Sequence, residues 1–225
     1  AFGGGVIGDL AGFIASIYKR GVPYIQVPTT LLAQVDSSIG GKTAIDLSQG
    51  KNLLGAFYQP RLVFSDCNIL RTLDKRQVQS GLAEVIKYGV IKDAGLFNYL
   101  EKSYQDILDL KLPALAFIVM RASQIKAKIV RQDEREEKGI RTILNFGHTI
   151  GHAIEAAARY KGYNHGEAVA LGMLVASDIS KKLNLINNAT AQRIENLITA
   201  VGLPLKIEKT PLGEIIKMHY HDKKF

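Results

Sequence analysis

The chain contains five histidines, and His148, His152 and His165 fall close together. His148 and His152 are four residues apart, so on a helix they share one face. Such a pair suits a metal, although His148-Thr149-Ile150-Gly151-His152 lacks the glutamate of the H-E-x-x-H zinc motif. A catalytic zinc takes three protein ligands and keeps a fourth position open. His165, at the start of a separate segment, and Glu84, set among Gly81, Ala83 and Val85, are candidates for such a set. Each residue also has a plainer explanation. A helix histidine can simply be hydrogen-bonded, and Glu84 can form a surface ion pair with Lys87 at i, i+3 spacing.

A second constellation is rich in glycine. Gly3-Gly4-Gly5-Val6-Ile7-Gly8-Asp9 precedes an apolar helical pattern. Glycines let a backbone approach a ligand closely, and a helix N-terminus directs N–H groups at a phosphate. The spacing is not G-x-G-x-x-G, so a tight turn without a ligand is the competing explanation. Asp36-Ser37-Ser38-Ile39-Gly40-Gly41-Lys42 and Lys51-Asn52 can hold phosphate or a polarised hydroxyl, or can be polar loops. Lys126 lies beside an apolar helical stripe, where a lysine either snorkels to solvent or serves a buried anion. Arg141 offers the planar fork that binds carboxylate, with Asn145 four residues on. The alternative for Arg141 is an exposed pair with the acidic run Asp133 to Glu137.

The elements that must position these residues fall into two regimes. Residues 1 to about 73 carry Gly, Thr and short apolar runs. Leu10, Phe13, Ile14 and Ile17 predict a helix stopped by Gly21; Tyr24–Val27 and Leu62–Phe64 predict strands. Strand, glycine turn, helix and strand make an α/β unit. From about residue 74 the pattern is helical. Val78, Leu82, Val85, Ile86 and Val90 form one stripe, and Leu115, Val119, Ala122, Ile125 and Ile129 another. Asn164-His165-Gly166-Glu167 reads as a capping box opening a helix to about Leu183. Thr190 is expected to open the next helix, closed by Gly202 and Pro204, and Thr210-Pro211 a last one.

Composition sets outer limits. The chain has 225 residues, 47% hydrophobic and 22% charged, as in a soluble globular protein of one or two domains. No apolar stretch approaches the roughly 20 residues of a membrane span, and AFGGGVIGD has no basic region ahead of an apolar one, so it is no signal peptide. Cys67 is the one cysteine, which precludes an internal disulfide and points to the reducing cytoplasm. The formal net charge of +8 can attract nucleic acid, anionic membranes or anionic small molecules. The basic residues are scattered, without the aromatic-basic interleaving of a nucleic-acid binder, so no nucleic-acid partner and no membrane are expected. Both ends read as cut: only Ala1 and Phe2 precede the glycine loop, and Lys223-Lys224-Phe225 follows no clear final turn.

Six blocks, in order, resemble the 3-dehydroquinate synthase family: GGGVIGDLAGF, VPTTLLAQVDSSIGGKTAID, KNLLGAFYQP, SGLAEVIKYG, ILNFGHTIGHAIE and NHGEAVALGM. The resemblance covers nearly the whole chain. It implies an α/β plus all-α protein: a partial Rossmann-like nucleotide-binding domain, residues 1–73, followed by a helical metal- and substrate-binding domain, residues 74–225. The family's preceding stretch, which builds the first half of the nucleotide domain, is absent from this sequence.

The resemblance further implies an NAD- and zinc-dependent lyase, with cobalt able to replace zinc. It would convert 3-deoxy-arabino-heptulosonate 7-phosphate to 3-dehydroquinate and phosphate in the shikimate pathway, as a cytoplasmic homodimer. By motif, Glu84, His148 and His165 match metal ligands, whereas His152 matches a catalytic histidine that is not a ligand. Gly5, Val6, Ile7, Gly8, Asp9, Thr29, Thr30, Lys42, Lys51 and Ile69, Leu70, Arg71 and Thr72 match NAD contacts. Asp36, Asn52, Lys87, Lys126, Arg141 and Asn145 match substrate contacts, Arg20 an arginine offered across the dimer, and one of Lys223 and Lys224 a further substrate lysine. An alcohol would be oxidised and later restored, with phosphate lost by elimination between. Rivals are another sugar phosphate cyclase, such as 2-deoxy-scyllo-inosose synthase, whose substrate has no carboxylate for Arg141, and a metal-dependent polyol dehydrogenase.

Overall fold

A computed structural model describes residues 1–47, 50–159, 161–208 and 210–220. Lys223 and Lys224 lie outside the described residues. The chain groups into two compact units, Ala1–Gly81 with Asp109–Arg141, and Leu82–Leu108 with Thr142–Phe225. No single cut in the chain separates them, because Asp109–Arg141 groups with the N-terminal residues.

The first unit holds strands β1 (Phe2–Gly3), β2 (Ile25–Pro28) and β5 (Leu62–Val63) in a parallel sheet ordered β1-β2-β5. Helix α1 (Gly5–Ile17) connects β1 towards β2, the crossover that parallel strands require. Its expected stripe is only part of the story. The buried residues of α1 are Gly8, Gly12 and Ala15, whereas Leu10, Ile14 and Ile17 are exposed. The small face lets α1 lie close to its neighbours: a Cβ on Gly8 would come 2.5 Å from Gln26 Oε1. Strands β3 (Lys42–Leu47) and β4 (Gly50–Phe57) form an antiparallel pair that the sequence did not predict, with Lys42 at the start of β3 and Lys51-Asn52 on β4. Their residues alternate poorly between apolar and polar, which hides a strand from pattern reading.

The helix α4 (Leu112–Gln132) follows the stripe expected from Leu115, Val119, Ala122 and Ile129, all buried. It packs on a π-helical turn, Ala33–Ser37, where the Ser123 hydroxyl donates to the Gln34 carbonyl at 3.2 Å. Gln34 is itself fully buried, and its Nε2 donates to the carbonyls of Pro28 at 3.1 Å and Asp66 at 2.9 Å. This one amide satisfies backbone groups that would otherwise be stranded in the core.

Helix α2 (Lys75–Lys92) carries the expected Val78–Val90 stripe, and its residues from Leu82 belong to the second unit. That unit also contains α3 (Ala94–Leu108), α5 (His148–Ala157), α6 (His165–Lys182), α7 (Asn188–Val201) and α8 (Leu212–Tyr220). The capping box is present: the Asn164 side chain accepts from Glu167 N and the Glu167 side chain from Asn164 N. The start of α7 corrects the expectation for Thr190. Asn187 is the cap, and its Oδ1 accepts from Thr190 N at 2.8 Å. Gly202 closes the helix in the left-handed conformation, as expected. A core of Ala153, Ile154, Tyr163, Ala168, Leu171 and Ile215 ties α5, α6 and α8 together.

Helices α5 and α6 touch backbone to backbone. A Cβ on Gly172 would fall on the Gly147 carbonyl oxygen, and one on Gly151 would sit 3.1 Å from the Ala168 carbonyl oxygen. Gly147 has φ +79°, a conformation glycine adopts without penalty, and caps α5 immediately before His148. The close approach brings the N-terminal residue of each helix, His148 and His165, to a ring-centroid distance of 5.4 Å.

Candidate metal centre and nucleotide-binding loop

Three residues expected at a metal converge within the second unit. One ligand atom each from Glu84, His148 and His165 lies within 4.8 Å of the others. The Nε2 atoms of both rings face the same carboxylate oxygen, Glu84 Oε1, at 3.3 Å from His148 and 3.1 Å from His165. The far nitrogens face outward to partners: His148 Nδ1 lies 3.2 Å from the Phe146 carbonyl and His165 Nδ1 3.4 Å from Glu155 Oε2. Metal-binding histidines characteristically donate their second ring N–H in this way. The donor set of one carboxylate and two imidazoles therefore fits zinc or a similar divalent ion, which takes three protein ligands in catalytic sites.

The pairing of Glu84 with Lys87 is also real, but it is not a surface pair. Glu84 is fully buried, Lys87 is 1% exposed, and Lys87 Nζ bonds Glu84 Oε2. Lys87 Nζ also sits 4.8 Å from the Tyr88 ring centroid. Burial pushes the Glu84 carboxyl up, but Lys87 and the His148 ring overcome that and hold it well below the usual carboxylate range. Burial pushes the His165 imidazole down, but Glu155 and Glu84 outweigh it and raise the ring to about 10. His152 stands beside the cluster, 5.3 Å from the His148 centroid at nearly a right angle, and is not one of the three converging ligands. Asn145 ends the 3-10 turn Ile140–Asn145.

Within the first unit, the glycine loop opens α1. Gly4 is its N-cap and contributes no side-chain hydrogen bond, so the first-turn N–H groups are not met by a capping side chain. Thr29 N donates to the Gly3 carbonyl at 2.9 Å, and a Cβ on Gly4 would come 3.2 Å from Thr30 Cγ2. A Cβ on Gly5 would come 2.9 Å from Ser37 Oγ. Gly5–Asp9, Thr29, Thr30 and the Asp36 turn thus form one cluster, and an uncapped glycine-rich helix start fits a phosphate-bearing nucleotide. Burial pushes the Asp9 carboxyl up, Lys126 lowers it, and Asp36 and Asp46 raise it, leaving it at about 7.

Lys126 does not snorkel. It is 7% exposed, and Nζ reaches the Asp36 carbonyl at 2.8 Å and Asp36 Oδ1 at 2.9 Å. Arg141 is 3% exposed and is not a surface pair; Nη1 donates to the Glu134 carbonyl at 2.9 Å, while its Nε has no hydrogen-bond partner among the described residues. Lys42 opens β3 and pairs with Glu136. Lys51 and Asn52 lie exposed on β4, with Asn52 N donating to Asp46 Oδ1 at 3.0 Å. Ile69–Thr72 falls in the 3-10 turn Cys67–Thr72, where the Leu70 side chain is fully buried, leaving its backbone for any ligand contact. Arg20 is exposed at φ +65°.

Two buried carboxylates went unnoticed in the sequence. Asp133 accepts four backbone N–H groups: Glu137 at 2.9 Å and Lys138 at 3.1 Å on Oδ1, and Ile140 at 3.0 Å and Arg141 at 3.4 Å on Oδ2. It shapes the loop that delivers Arg141, and lay hidden in an acidic run. Glu155 touches His165, and its signal was its place seven residues after His148 on the same helix face.

The α/β unit with its glycine-rich helix start and the helical unit with its Glu-His-His centre share the fold of sugar phosphate cyclases. The chain matches 2-epi-5-epi-valiolone synthase of Streptomyces hygroscopicus, solved with NAD+ and Zn2+ bound, at TM-score 0.92 and 31% identity over 100% of this chain and 62% of that one. It matches a 2-deoxy-scyllo-inosose synthase complexed with carbaglucose-6-phosphate, NAD+ and Co2+ at TM-score 0.91 and 34% identity, over 100% and 61% of the two chains. The chain belongs to the 3-dehydroquinate synthase family: residues 1–80 match its N-terminal part and residues 81–225 its C-terminal part. A curated 3-dehydroquinate synthase of Caldanaerobacter subterraneus is 56% identical over 100% of this chain, which spans 63% of that relative's length.

Proposed function

We propose that the protein containing this chain is a 3-dehydroquinate synthase, releasing phosphate from 3-deoxy-arabino-heptulosonate 7-phosphate and closing the carbocycle. The convergence of Glu84, His148 and His165 on one point, in a chain of this family, carries the reading. Glu84, His148 and His165 would hold zinc or cobalt, and Gly5–Asp9, Thr29, Thr30, Lys42, Lys51 and Ile69–Thr72 would hold NAD. When bound, the ion supplies acidity to a coordinated hydroxyl and the dinucleotide a reversible hydride acceptor.

The chain's own residues then bind, orient and move protons. Lys126, held by Asp36, presents a buried ammonium suited to an anionic substrate. The buried Arg141 guanidinium, with an unpaired Nε, suits a carboxylate, and Asn145 would assist it. Lys87 and Asn52 would complete the substrate contacts. His152, whose ring lies next to that of His148, would relay a proton, with the substrate phosphate helping to remove it. The reading extends to a cytoplasmic homodimer in which Arg20 reaches the neighbouring subunit's substrate. It is supported by Arg20's exposure and the lone Cys67. No helix among the described residues is long and apolar enough to cross a membrane.

The test is phosphate release by the full gene product from the heptulosonate phosphate, with and without NAD and zinc. Phosphate release that needs both, without net NADH, is expected. Turnover of glucose 6-phosphate instead would assign another cyclase, and stoichiometric NADH a dehydrogenase.

A further inference from the structure

Helix α5 contributes more to the metal centre than one ligand. His148, His152 and Glu155 follow at i, i+4 and i+7, one stripe of a single helix face. Glu155 is 7% exposed, buried deeply enough that an unused carboxylate there would be costly. Its Oε2 lies 3.4 Å from His165 Nδ1, at the long end of hydrogen-bonding distance, while the same ring points Nε2 at Glu84 Oε1, 3.1 Å away. The two histidines are thus held differently. His148 is oriented by a neutral carbonyl two residues back in its own turn, whereas His165 is oriented by a charged side chain from another helix.

We propose that Glu155 is a positioning residue: its carboxylate holds the His165 imidazole with hydrogen on Nδ1 and the Nε2 lone pair turned inward, and so sets the affinity of the Glu84–His148–His165 centre for a divalent metal ion. This rests on the metal-centre reading above. Two physical effects combine. An imidazole has two tautomers, and only the one protonated on Nδ1 can donate to Glu155 and still offer Nε2 to a cation. Charge is the second. The Lys87 ammonium bonds the outer oxygen of Glu84 and weakens that carboxylate's pull on a cation. Two carboxylates, one ammonium and a dication leave one net positive charge; with Glu155 neutralised, two remain in a buried site.

The experiment uses the metal-depleted full-length protein, titrated with Zn2+ in competition with a chromophoric chelator, and with Co2+ followed by its visible absorption. Glu155→Gln keeps shape but loses the charge, and its amide N–H group can face the ring. A fall in Zn2+ affinity of about 10–100-fold is expected, with an altered Co2+ band and an unchanged far-UV circular dichroism spectrum. Wild-type Zn2+ affinity together with a wild-type Co2+ band in Glu155→Gln would overturn the proposal. If that variant does not fold, Glu155→Asp, which keeps the charge but withdraws the oxygens by one methylene, is read the same way, and wild-type values there overturn it equally. Glu84→Gln and His148→Ala run alongside. If they too leave Zn2+ affinity untouched, the metal-centre reading falls and takes this proposal with it; if only Glu155 proves indifferent, the centre stands and the role of Glu155 does not.

Discussion

Replacing Glu84 by glutamine isolates the energetics of the buried pair on which the centre is built. Glu84 and Lys87 have side chains only 0% and 2% exposed. Glutamine preserves volume but leaves the Lys87 ammonium facing a neutral amide in a site with little water. Removing one partner of a buried ion pair costs about 3–5 kcal/mol, mostly from the charge left behind. The Tyr88 ring, 4.8 Å from Lys87 Nζ, offsets part of this, since a desolvated cation–π contact is worth up to about 2 kcal/mol. A loss near 3 kcal/mol is therefore expected in metal-free buffer, roughly a hundredfold in the unfolding equilibrium constant. The assay is urea unfolding with a chelator present, followed by circular dichroism. Glu84→Gln combined with Lys87→Met should recover most of the loss, because an apolar isostere removes the stranded charge. Saturating zinc, at a hundred times its dissociation constant, should stabilise the wild type by about 2.7 kcal/mol and the single variant hardly at all. A Glu84→Gln cost below about 1 kcal/mol, or a double variant less stable than the single one, refutes a buried pair of this kind.

Two further outcomes follow from packing and from charge. Gly172→Ala places a methyl on the Gly147 carbonyl; separating α5 from α6 should cost about 1–3 kcal/mol and weaken zinc binding through His148, both measurable by urea unfolding and zinc titration. Asp9, raised to about 7, holds its proton more tightly folded than unfolded. Its contribution is thus intact below the unfolded value of 3.8 and is lost as pH rises towards 7. Without nucleotide, the stability of Asp9→Asn relative to wild type should grow between pH 4 and 7 in thermal shift measurements, and a constant difference across that window would contradict the burial of this carboxyl.

Some parts of this protein are written locally. The α2 and α4 helices were legible because their apolar residues recur at helical spacing, and α6 and α7 through terminal signals, the Asn164 capping box for α6 and the closing Gly202 for α7. The β3–β4 pair was not legible, since its strands alternate weakly and gain their identity from pairing with each other. Likewise, apolar periodicity revealed α1 but not its buried face, because Gly8 and Gly12 are chosen for closeness to a neighbour and carry no hydrophobic signal.

The metal centre divides along the same line. The sequence alone determined that His148 and His152 share a helix face and that Glu84 lies among apolar neighbours. It left either histidine eligible as a ligand, and the resemblance to the family singled out His148. Tertiary structure decided the geometry: Glu84 and His165 are 81 residues apart, and the glycine contact between α5 and α6 brings the Nε2 atoms of His148 and His165 to one carboxylate oxygen. It also decided that the Glu84–Lys87 pair is buried and that Glu155 meets His165. Local spacing specifies which face a residue occupies, but what that face meets depends on chain segments whose separation in sequence carries no information about their distance in space.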